Sequence, residues 1–284
     1  AIAYALSHAL VSVFDKLILK NKSIEPMSLS TFRLGTNALF SLIIVLVLFD
    51  FALPATSFWI SLTVVSFVYT LAVLFYFIPL KFGDVSQLVP FREAIAAILS
   101  FSLAVLLLSE IATILDLIGT LTIMVGIYVL LTGGKIVLPQ LSKSVVLTGL
   151  SGVAIAVFSV LFKPLVFLAH PSLANLYLYV FVFVLLFVIN TAVNSKRQLE
   201  TFKIILKGRK VLLLSLAASL SAALGTLALF YGLSVGNAAE VLPVTRMLPV
   251  FATLIGWVAL KERAGLARLI GAVITFVGVY LISI

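Results

Sequence analysis

Residues 79–90 read PLKFGDVSQLVP, and residues 232–243 read GLSVGNAAEVLP. Each stretch contains a glycine, then an Asp or Asn, and then a proline seven positions after the glycine. Glycine and proline are the strongest local interruptions of regular structure. Because both stretches carry these interruptions in the same order, they indicate two copies of one structural unit.

The similarity extends downstream of these two stretches at an offset that stays at 152 or 153 residues, and shorter matches upstream lie 144 or 145 residues apart. Ordered matches of Gly, Glu and Tyr arise by chance far less often than matches between apolar residues. The sequence therefore predicts an internal repeat. The matched positions downstream are Glu110 and Glu262, Gly119 and Gly271, Gly126 and Gly278, and Tyr128 and Tyr280; upstream, Val13-Phe14 and Pro26 match Val157-Phe158 and Pro171.

Composition indicates the solvent in which these copies fold. Of the 284 residues, 63% are apolar and only 10% are charged, and the mean hydropathy is +1.30. A soluble domain needs more charge than this, whereas a membrane helix needs about 20 apolar residues. We predict an all-α integral membrane protein with ten transmembrane helices arranged as two inverted five-helix repeats.

The ten predicted spans are apolar runs that lie between turn signals. Their approximate bounds are residues 1–20, 27–49, 58–80, 84–108, 114–132, 145–169, 172–193, 211–234, 238–260 and 265–284. The longest polar stretch is residues 194–210. It is basic, and we predict that it lies partly at the membrane interface.

Basic residues concentrate on one side of the predicted membrane. Fourteen of the nineteen Lys and Arg residues fall in or beside the loops that follow odd-numbered spans, and the opposite loops contain none. Since basic loops are retained in the cytoplasm, we predict cytoplasmic odd-numbered loops and both termini outside. The predicted location is the inner or plasma membrane.

Each copy has an odd number of predicted spans, so the second copy enters the membrane upside down relative to the first. Inverted repeats of this kind place a substrate site near the midplane, between the two halves. When the two copies exchange conformations, that site opens alternately to each side. The repeat therefore favours transport as the function.

The glycine turn, the proline after it, the glutamate that ends the helix and the next helix with two glycines resemble the EamA-like family of the drug/metabolite transporter superfamily. The resemblance assigns residues 1–134 and 145–284 to two EamA-like five-helix repeats. It implies a central cavity lined by spans 1, 3, 4, 6, 8 and 9, with spans 5 and 10 at the periphery. Members of this family usually keep both termini in the cytoplasm, so the predicted orientation departs from the family.

Arg92 and Arg246 are charged residues deep inside predicted spans. At about 1.5 Å per residue, each lies roughly 12 Å or slightly more from the start of its span. Insertion of a charge at the bilayer centre costs at least about 2.5–3.5 kcal/mol, so both should face protein or water. Two guanidiniums in a cavity suit a carboxylate or a phosphate. The alternative is that Arg92 pairs internally with Glu93 and only fixes helix packing.

The other predicted substrate-site residues each have an alternative interpretation. Glu93 is a proton-coupling carboxylate or a counter-ion to Arg246 or Lys163. Lys163 reaches the substrate or extends to the interface, and His8 is a proton relay or a hydrogen-bonded core residue. The tyrosines either line the cavity or pack within the protein. The full set is Arg92, Arg246, Glu93, Lys163, His8, Tyr76 and Tyr231.

Several residues are placed outside this site. We predict that Asp15 and Lys16 lie at the interface and that Arg33 is a snorkelling or packing residue. Pro243 and Pro249 permit kinks in the ninth span. The glycines that recur seven apart in spans 5 and 10 should provide close helix packing.

Other functions lack the residues they need. The chain has no cysteine and only two histidines, which are far apart, so we predict no metal and no cofactor. No phosphate-binding P-loop is present, which excludes ATP hydrolysis as the driving force. An intramembrane enzyme needs a nucleophile and base or a metal cluster at membrane depth, and the sequence offers neither. We predict that the protein is not an enzyme.

The sequence therefore predicts a secondary membrane transporter that moves a small anionic or zwitterionic metabolite by alternating access through a central cavity. Amino acids, organic acids and phosphorylated compounds fit this description. The alternative within transport is a flippase for a phosphate-bearing lipid, and an intramembrane enzyme is the alternative from another class. The predicted partners are the small-molecule substrate and the lipid bilayer, without nucleic acid, in a monomer or homodimer.

Overall fold

The computed structural model describes residues 1–49, 53–79, 85–109, 113–132, 142–245, 247–260 and 266–283. Within these ranges the regular structure is helical and no strand occurs. Eleven helices follow in chain order. They are α1 (Ile2–Leu19), α2 (Pro26–Leu48), α3 (Thr56–Phe77), α4 (Val85–Leu108), α5 (Ile114–Thr132), α6 (Lys143–Leu168), α7 (Pro171–Lys207), α8 (Arg209–Val235), α9 (Ala238–Thr245), α10 (Leu248–Leu260) and α11 (Leu266–Ser283).

In the described part of the chain, seven helices are long and apolar enough to cross a membrane. These are α1, α2, α3, α6, α7, α8 and the segment Phe91–Leu108 of α4, and α5 contains a shorter apolar stretch. Their outward-facing side chains include many exposed Leu, Ile, Val and Phe residues, which lipid accepts. Apart from its two ends, a helix satisfies its backbone polar groups internally, which suits a lipid environment. The chain is therefore a multi-pass α-helical membrane protein.

The start of α2 shows how local sequence sets a helix boundary. The Glu25 carboxylate accepts hydrogen bonds from the backbone N–H groups of Met27 at 3.2 Å and Ser28 at 2.6 Å. Pro26 occupies the first helical turn, where its missing N–H costs nothing. A capping side chain satisfies N–H groups that otherwise lack partners, and His170 has the same role before α7.

Helices from the two halves pack crosswise. α1 packs on α8 and α3 packs on α6; α4 packs on α6 and α1 packs on α10. In addition, α2 faces α7 and α5 faces α11. If the two predicted copies are exchanged, the α1–α8 contact becomes the α3–α6 contact, and the α4–α6 contact becomes the α1–α10 contact. The α2–α7 and α5–α11 contacts each join equivalent helices of the two copies.

The exchange also holds for individual residues. A Cβ added to Gly225 of α8 would lie 2.7 Å from the Ser7 Cβ on α1, so the two helices touch there. In the equivalent contact, the Ser151 hydroxyl of α6 donates to the Ala72 carbonyl oxygen of α3 at 2.7 Å. Ser7 and Ser151 are 144 residues apart and Ala72 and Gly225 are 153 apart, which are the repeat's own offsets.

The contact between α5 and α11 is built on glycine from both sides. A Cβ at Gly126 would come 2.8 Å from the Gly271 carbonyl oxygen, and a Cβ at Gly278 would come 2.6 Å from the Gly119 oxygen. Only glycine allows backbones to approach this closely. The prediction that these glycines provide close helix packing is confirmed.

The ninth predicted span, residues 238–260, consists of the two helices α9 and α10. Pro249 is the second residue of α10. A proline has no N–H and disfavours the α conformation in the preceding residue. The Val250 N–H donates to the Met247 carbonyl oxygen at 2.9 Å, which begins the new helix.

α7 continues well beyond the predicted span 172–193. Asn194 interrupts it with a non-helical backbone (φ −161°, ψ 71°), and its side-chain oxygen accepts a hydrogen bond from the Arg197 N–H at 3.3 Å. Asn194 therefore ends one helical segment and caps the next. We call the second segment, residues 195–207, the α7 extension.

Candidate functional site

A cavity of about 90 Å³ is lined by α1, α2, α3 and α4 and by α6, α7, α8 and α10. Its ionisable lining residues are Tyr4, His8, Asp15, Arg33, Tyr69, Tyr76, Arg92 and Tyr179. Small-molecule pockets usually measure about 300–1,000 Å³, so this conformation holds a small solute or a few waters. The resemblance implied a lining from spans 1, 3, 4, 6, 8 and 9; α2 and α7 also contribute, through Arg33 and Tyr179.

Arg92 reaches the cavity from α4 and is held on two sides. Its Nε and Nη2 donate to Glu93 Oε1 at 2.9 Å and 2.5 Å, and its guanidinium lies 4.3 Å from the centroid of the Tyr76 ring. The Glu93 side chain is 1% exposed, whereas that of Arg92 is 15% exposed. The carboxylate and the ring therefore position a guanidinium that still faces the cavity.

The pairing of Arg92 with Glu93 was one of two interpretations drawn from sequence, and the structure contains that contact. It also places Arg92 on the cavity wall, as the other interpretation required. Glu93 contacts Arg92 on its own helix, although neighbouring positions on a helix point about 100° apart. The long arginine side chain bridges that angle.

A second ion pair, between Asp15 and Arg33, was missed. Both carboxylate oxygens of Asp15 lie 2.5 Å from Arg33 Nη1, and Arg33 Nη2 donates to the Ala218 carbonyl oxygen at 3.4 Å. Asp15 is 4% exposed and Arg33 is 5% exposed. Asp15 is therefore buried against Arg33 inside the protein, and its depth in the membrane stays a prediction. Of the two interpretations of Arg33, burial and the ion pair favour packing over snorkelling.

A signal for this pair was present in the sequence. Asp15 lies four residues before the end of α1, and Arg33 lies seven residues after the start of α2. Two helices joined by a short turn run antiparallel, so these positions have similar depths, about 6 Å and 10 Å. Opposite charges at similar depths in consecutive spans are expected to pair, because an unpaired charge there is costly.

His8 belongs to a chain of hydrogen bonds across three helices. His8 Nε2 lies 3.2 Å from Thr226 Oγ1 of α8, which lies 2.6 Å from the Tyr179 hydroxyl of α7. That hydroxyl donates to the Ala222 carbonyl oxygen at 3.1 Å. The geometry agrees with the interpretation of His8 as a hydrogen-bonded residue, and its role as a proton relay stays a prediction.

The other predicted site residues lie elsewhere. Tyr231 is near the end of α8, where its hydroxyl is 3.1 Å from His170 Nε2, and neither Tyr231 nor Lys163 is among the cavity-lining residues. Arg246 lies outside the described residues, as do Glu110 and Glu262. The structure thus brings Arg92, Glu93, His8 and Tyr76 together. Their role as substrate ligands stays a prediction.

The chemistry of this cavity suits binding. Two guanidiniums are each held by a carboxylate, and tyrosine rings and a hydrogen-bonded histidine complete the polar wall. In the described ranges, no group of three His, Asp or Glu side chains is placed to hold a metal ion. The arrangement can recognise a small solute that carries an acidic group.

Comparison with known families gives a match to nearly the whole chain. The family model described as the EamA-like transporter family matches residues 1–132 and again residues 142–284. The two matched segments are close to the two repeats predicted from the sequence, 1–134 and 145–284.

Individual proteins that are similar to this chain include a curated protein and a solved structure. An uncharacterised protein of Methanocaldococcus jannaschii is 31% identical over 81 residues, which are 28% of this chain and 59% of that protein. The chain thus spans about three-fifths of the length of that relative. One solved crystal structure superposes with a TM-score of 0.69 at 16% identity, over 98% of this chain and 95% of the other. At that identity the likeness concerns the fold alone.

Proposed function

Because the chain belongs to the EamA-like transporter family, we propose that it is a secondary transporter of a small anionic or zwitterionic metabolite. The substrate passes by alternating access through the cavity between the two halves. The observation that carries the substrate class is the position of Arg92, which faces the cavity while Glu93 and Tyr76 hold it in place.

A guanidinium held in this way is preorganised for an acidic ligand. Glu93 already orients the Nε and Nη2 atoms of Arg92. The arginine side chain therefore loses little further conformational entropy when a ligand binds. A carboxylate or phosphate at the cavity edge gains charge-assisted hydrogen bonds, which are stronger in a partly buried site than in bulk water. A cation at the same place meets repulsion.

The pair of Asp15 and Arg33 supplies a second charged position on the same cavity wall. A zwitterion carries both an acidic and a basic group, and the cavity offers a partner for each. Among the described residues, Asp15 is the acidic side chain that lines the cavity. The proposed substrates therefore include zwitterions such as amino acids beside simple anions.

The proposed architecture is ten spans in two inverted repeats, residues 1–134 and 145–284, with α9 and α10 forming one span. Its support is the crosswise packing, in which Ser7 on Gly225 corresponds to Ser151 on Ala72. Helix pairs related in this way can exchange roles when the cavity opens to the other side.

We propose that the basic loops face the cytoplasm and that the termini lie outside. The chain contains no cysteine, so single cysteines can report topology without background labelling. Lys22→Cys should react with a membrane-impermeant maleimide only in inside-out vesicles, and Ala55→Cys only in intact cells. The reverse pattern would overturn this orientation.

The transport proposal is tested with purified protein in liposomes. Uptake of labelled glutamate, alanine, malate and phosphoenolpyruvate is compared with uptake of labelled tetraethylammonium, for wild type, Arg92→Ala and Arg246→Ala. Saturable uptake of an acidic or zwitterionic probe, reduced at least about tenfold in Arg92→Ala, is expected. Lys143→Ala, at an exposed position at the start of α6, is the matched control.

Two results would contradict the proposal. One is saturable transport of the cation, and the other is acid transport that Arg92→Ala leaves unchanged. Movement of a headgroup-labelled phospholipid without uptake of any small acid would favour the flippase instead.

A further inference from the structure

The α7 extension, residues 195–207, is strongly basic and lies away from the cavity. Lys196, Arg197, Lys203 and Lys207 are exposed along it, and Arg209 and Lys210 follow, also exposed. Glu200 is the one acidic residue of this segment. A surface with this charge attracts anionic partners.

The extension has one face buried against the protein and another, apolar face that is exposed. Gln198, Thr201 and Ile205 form its buried face. On another face, Leu199 and Leu206 are 59% and 58% exposed. Leucines seven positions apart share one side of a helix, so they form an apolar stripe that no described part of the protein covers.

The lysines flank this stripe. At about 100° of rotation per residue, Lys196, Lys203 and Lys207 lie on the face that adjoins Leu199 and Leu206. An apolar stripe beside a row of lysines is the pattern of helices that lie in the membrane–water interface. The leucines enter the acyl boundary while the lysine amines reach the headgroup phosphates.

The extension is docked firmly on the turn between α1 and α2. Ile205 is buried with Ile18 and Ile24, and the Phe202 and Phe32 rings meet edge to face at 5.5 Å. These contacts fix which side of the extension faces outward. Its orientation is therefore set by the fold and does not depend on a ligand.

The same turn adds basic charge and a polar contact. The Glu25 N–H donates to Thr201 Oγ1 at 3.3 Å, and Lys20 and Lys22 of this turn are exposed. The basic surface thus spans two elements that the extension holds together.

We propose that the α7 extension lies in the interface and binds the headgroups of anionic phospholipids. Clusters of four to eight Lys and Arg residues beside a membrane helix attract anionic lipid. Retention of basic loops explains the side on which the charges lie, but it does not explain the exposed leucines. The proposal holds for either orientation in the membrane and does not depend on the transport substrate.

Lipid binding should stabilise one end of the protein in particular. The extension packs on α1 and α2, and these helices carry Asp15 and Arg33. Anionic lipid that holds the extension in place therefore also opposes the separation of α1 from α2.

The test uses the full-length protein in a neutral detergent, titrated with dioleoylphosphatidylglycerol or with dioleoylphosphatidylcholine. Bound lipids are counted by native mass spectrometry, and thermal unfolding is followed by circular dichroism. The test variant is Lys196→Gln/Arg197→Gln/Lys203→Gln/Lys207→Gln. The matched control, Lys196→Arg/Arg197→Lys/Lys203→Arg/Lys207→Arg, keeps the charge at the same four exposed positions.

Wild type and the charge-preserving control should bind phosphatidylglycerol in preference to phosphatidylcholine and unfold at a higher temperature with it. The neutral variant should bind phosphatidylglycerol about tenfold more weakly or worse while its helix content is unchanged. Leu199→Gln/Leu206→Gln should also weaken binding, because the apolar stripe is lost while the charge remains.

Three outcomes would overturn the proposal. In the first, the neutral variant keeps the full preference for phosphatidylglycerol. In the second, phosphatidylcholine raises the unfolding temperature of the wild type as much as phosphatidylglycerol does. In the third, inorganic phosphate at the same phosphate concentration raises that temperature equally.

Discussion

The two halves of the chain agree in the contacts that hold the helices together and differ in the residues that line the cavity. Gly126 in the first half and Gly278 in the second occupy equivalent close contacts between α5 and α11. In the cavity, by contrast, Asp15 and Arg33 have Ser159 and Leu178 at the equivalent offsets of 144 and 145 residues.

This difference shows what each feature requires. Two helices can touch only where both backbones lack bulk, so both copies need small residues at the same places. The charged pair of Asp15 and Arg33 is not repeated at the equivalent positions of the second half, whereas Arg246, the predicted counterpart of Arg92, lies outside the described residues. The acidic and basic residues that line the cavity in the described structure, Asp15, Arg33 and Arg92, all belong to the first half.

The largest expected effect is on the Asp15 and Arg33 pair. Arg33→Gln leaves a buried carboxylate without its cation and should lower the free energy of unfolding by about 3–5 kcal/mol. The Asp15→Asn/Arg33→Gln double variant should recover much of this loss. Unfolding in mixed micelles titrated with a denaturing detergent measures both.

The comparison for this pair is Ser159→Ala in the second half. The Ser159 hydroxyl donates to the Ile155 carbonyl oxygen of its own helix at 2.7 Å. Removal of this hydroxyl should therefore lower the free energy of unfolding much less than Arg33→Gln does. If Ser159→Ala and Arg33→Gln lowered the free energy of unfolding equally, the charged pair would contribute no more to stability than the equivalent position in the second half.

Next in size are Gly126→Ala and Gly278→Ala, which test the agreement between the halves. In either variant the new Cβ meets backbone atoms of the opposite helix, at 2.8 Å and 2.6 Å from a carbonyl oxygen. Each should destabilise by about 1–3 kcal/mol, and the two values should be similar. A clear inequality in the same unfolding titration would break the proposed equivalence of α5 and α11.

A smaller effect is expected for Glu93→Gln, measured on transport. The neutral amide holds Arg92 less firmly, so the apparent affinity for the acidic probe should fall about fivefold to tenfold, or roughly 1–1.4 kcal/mol. Arg92→Lys, which keeps charge but loses the planar fork, is the companion variant. If Glu93→Gln leaves affinity unchanged, Glu93 has no positioning role.

The smallest effect is expected for Ile155→Val, which trims a cavity residue of the second half. Loss of one buried methylene should lower stability by about 0.5–1.5 kcal/mol. The ratio of anion to cation uptake in liposomes should not change. A change in that ratio would show that the second half also determines charge selectivity.

Much of the fold could be predicted from the sequence, because few types of structure can cross a bilayer. Long apolar runs in a chain with 10% charge must become membrane helices, and most predicted spans match observed helices within a few residues. Pro249 indicated a kink in the ninth span, and the structure has two helices there, with Pro249 in the first turn of the second. The extension of α7 to Lys207 was missed because Asn194 and the polar residues after it read as a loop.

The candidate site was only partly readable. Arg92, Glu93, His8 and Tyr76 were identified from charge, depth and helix number, and these four lie together in the structure. Asp15 and Arg33 were not, because each was considered within its own span. An ion pair between two helices forms only if the charged faces of both helices meet. The depth of a residue in its span does not show how the helix is rotated about its axis.

The sequence by itself determined that the chain is a membrane protein, where its main helices lie and which small residues recur in both halves. These follow from hydrophobicity and steric size, which are properties of single residues and short patterns. Only the tertiary structure decided that Arg33 pairs with Asp15, that Arg92 bridges to Glu93 under Tyr76, and that the α7 extension presents leucines and lysines outward. Those contacts depend on how each helix is rotated against its neighbours, which is set by packing over the whole molecule.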